Sequence, residues 1–252
     1  MYPVLFAIGS LEFRSHDVMI SLGAVLSFVL FLRVTRKKAI AIQDILCGIA
    51  IIFPITYLLI YLNGVLFRLL VSGWVNYRVS LAYDTASFGM VLGILLTGYI
   101  AARWRKLPAG FVLDRIALVL PLAQALGRIG CFLEGCCYGL ETESLIGMYL
   151  PTHSGVWANR YPTQLVLAAF DLALFALLWS RREKVEVDGN LTFLYLFCFT
   201  LGRILIDSLR ELPHVLGALS PHQLASFVIL LVTAYTFFEL RFFGSKQENA
   251  AQ

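Results

Sequence analysis

The chain has 252 residues, 59% of them hydrophobic and only 14% charged, with a formal net charge of +4 and a mean hydropathy of +0.79. That is too little polar surface to clothe a water-soluble globule of this size, so a soluble enzyme or binding domain is excluded and an integral membrane protein is implied. The mild positive charge carries no signature of nucleic-acid binding.

The opening stretch MYPVLFAIGSLEFRSHD has no basic start and no small-residue cleavage pattern after it, so it reads as a retained segment and not as a secretory signal. A bilayer core takes about 20 apolar residues per helix. The first segment of that kind spans Asp17 to Leu32 and is followed by the basic loop RVTRKK. The second spans Ile42 to Leu62, and the third, Ala82 to Ala102, ends in ARWRK. The fourth, Phe111 to Ile129, leads into a cysteine-rich loop, and the fifth, Thr163 to Trp179, into RREK. The sixth runs from Leu191 to Ser208 and the seventh from Pro221 to Leu240, with Arg241 and Lys246 beyond it. The basic loops fall on one side, together with every lysine, so the positive-inside rule predicts an outer N-terminus and a cytoplasmic C-terminus. The expected fold is all-α: one seven-helix transmembrane domain over 1–243, with a disordered cytoplasmic tail over 244–252.

The remaining arginines run against that bias. Arg14, Arg68, Arg78, Arg128, Arg160, Arg203 and Arg210 fall at or near the outer face, while Arg115 belongs to the cytoplasmic end. An arginine in the apolar region costs about 2.5 to 3.5 kcal/mol on insertion scales, so each needs a reason to be there. Guanidinium grips phosphate through paired hydrogen bonds, and a ring of arginines at headgroup depth points to an anionic membrane lipid. In GRIGCFLEGCCYG, Arg128 stands between Gly127 and Gly130, whose missing side chains let a helix or a headgroup approach closely. In GRILIDSLRE, Arg203, Asp207 and Arg210 share one helix face, where Arg203 and Asp207 could equally serve only to neutralise each other.

Cys47 and Cys198 lie inside expected helices as small packing residues. Cys131, Cys136 and Cys137 form a C-x4-C-C pattern on the oxidising side, where Cys131 could pair with either of the others or the thiols could simply pack. Zinc would need a fourth ligand such as His153 at no standard spacing, so no metal and no other cofactor is expected. Asp44, Asp171 and Glu239 read as solvated or hydrogen-bonded bundle residues. Aromatics such as Tyr149, Trp157 and Tyr161 suit an interfacial belt.

These motifs together resemble the prolipoprotein diacylglyceryl transferase family. IGSLEFRSHDVMISLG is similar to its N-terminal segment, FGMVLGILLTGYIAARWRKLP to its third helix and basic loop, and ALVLPLAQALGRIGCFLEGCCYG to its signature helix and loop. RYPTQL, LGRILIDSLRE and LSPHQLASF are similar to its later helices, in the same order and spacing. The resemblance implies transfer of a diacylglyceryl group from phosphatidylglycerol to the lipobox cysteine of a preprolipoprotein in the bacterial plasma (inner) membrane, with glycerol phosphate released. It implies that Arg128 and Arg203 bind phosphate, that Asp207 replaces the family's usual glutamate and orients Arg203, and that Arg210, Gly127 and Gly130 belong to the lipid site. The chain departs from the family pattern at Cys131, usually asparagine, at Cys136, usually glutamate, and at Phe88, usually a histidine that accepts the thiol proton. The usual arginine of helix two is missing as well. Substitute proton acceptors near the outer face in sequence are His16, Glu134, Asp84 and His153. A paralogue that binds anionic lipid or a membrane partner without catalysis is the second reading, and a transferase with a different acceptor a third.

Overall fold

A computed structural model describes residues 2–9, 11–35, 54–58, 61–62, 86–152, 155–184, 187–210 and 220–242, with residues 43, 48 and 50. The expected second helix, Asp84, His153, Lys37 and the tail lie wholly or mostly outside these residues. In chain order the described elements are β1 (Val4–Ile8), β2 (Leu11–Arg14), α1 (Ser15–Thr35), α2 (Ala86–Trp104), α3 (Ala109–Glu134), β3 (Met148–Pro151), β4 (Trp157–Arg160), α4 (Thr163–Arg181), α5 (Asn190–Asp207) and α6 (Pro221–Phe242). Among them α1, α3, α4 and α5 are long and apolar enough to cross a bilayer.

The burial pattern is that of a membrane bundle. On α1 the large apolar side chains Ile20, Leu22, Val25, Leu26 and Val29 are exposed, while Ser15, Gly23, Ser27 and Thr35 are buried. Lipid solvates leucine and valine as well as a protein core does, so small and polar residues are left to make the helix contacts.

Helix α3 is the central element, packed against α1, α2, α4 and α5. Against α1 it runs antiparallel, and the pairing is set by small residues. A side chain on Gly23 would begin 3.1 Å from the Ala123 carbonyl oxygen, and one on Gly130 only 3.0 Å from the Cα of His16. Ser27 Oγ closes the same seam by donating to the Val119 carbonyl at 3.0 Å. On its other side α3 meets the main apolar cluster, in which Phe88, Val91, Leu118, Leu174, Tyr195 and Phe199 come from four helices.

At the opposite end from the cysteine loop, α5 begins at Gly189 with φ 103° and no capping side chain of its own. Asp114 of α3 supplies the cap: its carboxylate accepts from the Gly189 and Thr192 N–H groups and from the Thr192 hydroxyl, each at 2.8 Å. Four N–H groups are left over at any helix start, and here another helix satisfies two of them.

Two hairpins, β1–β2 and β3–β4, were not anticipated from the apolar runs alone. The first is held to the end of α3 by the Tyr2 N–H to Leu133 carbonyl bond at 2.9 Å, and carries a stacked Phe6–Phe13 pair. The second carries the exposed Tyr149 and Trp157, stacked 5.4 Å apart. α1 and α3 are both longer than the apolar runs predicted, beginning at Ser15 and ending at Glu134.

Candidate functional site

The site is assembled where α3 and α5 end and α4 begins. Gly135 ends α3 with φ 84°, a left-handed conformation that suits glycine, and its N–H and that of Cys136 both return to the Cys131 carbonyl at 3.0 Å. The cysteine loop is then clamped by the first turn of α4. Thr163 Oγ1 donates to the Cys137 carbonyl at 3.0 Å and Gln164 Nε2 to the Cys136 carbonyl at 2.7 Å.

Beyond the cysteines, the chain threads between the ends of α4 and α5. The Gly139 N–H donates to the Tyr161 carbonyl, and the Leu140 N–H to the Leu209 carbonyl. Only glycine fits at 139, because a Cβ there would lie 2.7 Å from both the Leu209 and Tyr161 carbonyl oxygens. Arg160 is buried beside this crossing, paired with Glu141 at 2.6 Å and lying over the Tyr138 ring at 5.0 Å.

Inside this frame the arginines converge. Arg203 is 1% exposed and Arg210 4%, although each carries a full charge. Asp207 lies between them, with Oδ2 3.0 Å from Arg203 Nη2 and Oδ1 3.4 Å from Arg210 Nη1. The Arg203 pair is close but not aligned for hydrogen bonding, and among the described residues no nitrogen of that guanidinium has a hydrogen-bond partner. Arg203 lies over the Phe88 ring at 5.3 Å, so an aromatic ring covers one face of its guanidinium. Arg128 approaches from α3, and its strongest electrostatic neighbours are Cys131, Cys137, Arg210 and Asp171.

The Asp171 expectation needs correction. It is 3% exposed in mid-α4, and it shares the electrostatic field of both Arg128 and Arg203. A carboxylate in the middle of an apolar run was a signal in itself, because such a charge is expensive unless it faces partners in the bundle. Gln164, fully buried with its Oε1 lacking a hydrogen-bond partner among the described residues, is a second site residue that the apolar pattern did not mark.

Other expected residues fall elsewhere. Gly127 and Gly130 face α1: a Cβ on Gly130 would lie 3.0 Å from the Cα of His16, while one on Gly127 would make an ordinary contact with Ile20 at 3.7 Å. Glu134 meets His16 at 3.9 Å and Arg14 at 3.7 Å, roughly 120° round α3 from Arg128 and roughly 60° from Cys131. His16 and Glu134 are thus together, but on the α1 side of the helix. Asp84 lies outside the described residues.

Of the two readings of the cysteines, a disulfide or packed thiols, the structure has the thiols: Cys131, Cys136 and Cys137 have their sulphurs within 4.8 Å of one another. Contact with the Cys131 and Cys137 sulphurs, with burial added, pushes the Cys136 thiol well above the ordinary thiol range.

Comparison with known proteins bears on this arrangement. The family model described as prolipoprotein diacylglyceryl transferase matches residues 3–239. A Clostridium perfringens protein named phosphatidylglycerol–prolipoprotein diacylglyceryl transferase 2 is 33% identical over 248 residues, covering 92% of each chain. Proteins named phosphatidylglycerol–prolipoprotein diacylglyceryl transferase from Clostridium tetani and Dehalococcoides mccartyi are each 29% identical. The first covers 94% of this chain and 97% of the relative, the second 98% and 96%.

Proposed function

The chain belongs to the prolipoprotein diacylglyceryl transferase family, and from that premise we propose that Arg128, Arg203 and Arg210 hold the phosphate of phosphatidylglycerol while its diacylglyceryl group is moved. The protein is a membrane transferase acting on phosphatidylglycerol and a prolipoprotein. The observation that carries the residue assignment is Arg203. A buried guanidinium whose nitrogens all lack hydrogen-bond partners among the described residues costs more than a satisfied one, and a phosphodiester would supply those acceptors.

The lipobox thiol attacks the glyceryl methylene carbon next to the phosphate oxygen. The sulphur–carbon bond forms as the carbon–oxygen bond breaks, and glycerol phosphate departs with the negative charge that the arginines are placed to stabilise. The thiol proton has to go to a base within hydrogen-bond reach. Phe88 cannot take it. Asp207 is engaged by two guanidinium groups, and among the described residues Asp171, in the field of Arg128 and Arg203, is the proposed acceptor.

The same reading places a single seven-helix domain over 1–243 in the bacterial inner membrane, with the arginine cluster at the outer leaflet and the 244–252 tail in the cytoplasm. The positive-inside loops support it. A paralogue that binds lipid without transfer is the second reading, and Phe88 against Arg203 is the observation that favours it.

The test is to incubate the purified protein with labelled phosphatidylglycerol and a lipobox peptide. Label on the peptide cysteine with stoichiometric release of glycerol phosphate supports the transfer. Phosphatidylglycerol binding without label transfer would establish the binder instead.

A further inference from the structure

We propose that Cys131, Cys136 and Cys137 form a binding site for a divalent thiophilic cation, Zn2+ or its surrogate Cd2+, set beside Arg128. Spacing alone argues against such a site, because the pattern C-x4-C-C has no fourth ligand in sequence. The folded arrangement supplies what spacing does not carry.

The three sulphurs lie within 4.8 Å of one another. Zinc–sulphur bonds of about 2.3 Å in tetrahedral geometry place sulphurs about 3.8 Å apart, so side-chain rotations that move them by roughly 1 Å close the trio on one ion. A disulfide would use two of the three and leave the third against it.

The backbone holds this trio from both sides. The turn at Gly135 folds Cys136 back over the last turn of α3, and Thr163 and Gln164 fix the carbonyls of Cys137 and Cys136. Cys137 itself takes φ 61°, a conformation side chains seldom adopt. Cys131 is buried while Cys136 and Cys137 are half-buried, which gives an ion a way in and leaves the fourth position open to water.

Thiolate ligands alone select soft ions over magnesium or calcium, and the charge balance selects a divalent one. Binding converts three thiols and M2+ to a three-thiolate complex of charge −1 with release of three protons. Arg128, electrostatically coupled to Cys131 and Cys137, balances that single charge. A monovalent ion would leave the complex at −2 with one guanidinium beside it. Because protons are displaced, affinity rises with pH.

The experiment titrates the reduced full-length protein in detergent with Cd2+ alone, without oxygen. The expected result is one Cd2+ per chain, a thiolate-to-cadmium charge-transfer band in the ultraviolet, and loss of that band when Zn2+ is added. Cys198→Ser should bind as the parent does. Cys136→Ser should bind more than about 100-fold more weakly, beyond what loss of an outer partner costs a metal site, with helical content and elution volume unchanged. Cys137→Ser provides the same reading if Cys136→Ser fails to fold. No charge-transfer band in reduced, folded protein overturns the proposal. So does a band that survives both substitutions, which would put the ligands elsewhere in the chain.

Discussion

At the scale of single residues, the cost of a buried charge explains the site better than any motif. Arg203 and Arg210 are almost fully enclosed, and one aspartate stands between them. Two guanidinium groups on one carboxylate, with Arg128 adjoining, leave positive charge to spare for an anion. Arg128→Gln and Arg203→Gln should therefore each leave membrane insertion intact and lower transfer by about 30-fold to 1000-fold, equivalent to about 2 to 4 kcal/mol. Transfer to a lipobox peptide at saturating lipid is the measurement. Lysine at 203 should restore only part of the activity, since it keeps the charge and loses the planar fork that meets two phosphate oxygens together. Asp207→Asn and Asp171→Asn separate the roles of the two carboxylates. If Asp171 takes the thiol proton, its amide removes turnover while phosphatidylglycerol binding persists, whereas Asp207→Asn weakens the binding itself. The Arg203–Asp207 pair on one helix face was legible from its spacing. Asp171 was not, because its partners stand on two other helices and no local pattern names them.

At the scale of elements, apolar length located the described helices well. The hairpins and the cap escaped it, since both depend on contacts that length does not encode. The Asp114 carboxylate acts on residues 75 and 78 positions later in the chain. Replacing it with alanine should cost about 1 to 3 kcal/mol, because a buried and a half-buried N–H group would lose their acceptor. A lowered midpoint of thermal unfolding in detergent, with lipid binding retained by the folded protein, is the expected outcome. The α1–α3 seam makes a comparable prediction. Gly23→Leu forces bulk against the Ala123 backbone and should destabilise by about 1 to 3 kcal/mol, while the same change at exposed Val25 should be near neutral. The small residues of α1 are visible in the sequence as a stripe, but only the structure says that they meet α3.

For the whole molecule, the basic loops propose one way up in the membrane. Lys106 and Lys184 should be labelled, after conversion to cysteine, only from the cytoplasmic side, and Glu141 only from outside. An external Lys106 would put the arginines at the wrong leaflet for a secreted acceptor. The helical membrane class was legible from composition, because bilayer thickness acts on whole segments. Which helix sits at the centre was not, since every apolar run looks alike until small-residue contacts sort them.

The cap that α3 supplies to α5 reaches beyond stability into biogenesis. Helix α5 is the least apolar of the four spanning helices, and Arg203 and Asp207 burden its entry into lipid. Its first turn is finished by Asp114, and its charges face Asp171 and Arg128. Such a segment should enter lipid more readily against α3 and α4, which precede it in the chain and carry the partners of its charges.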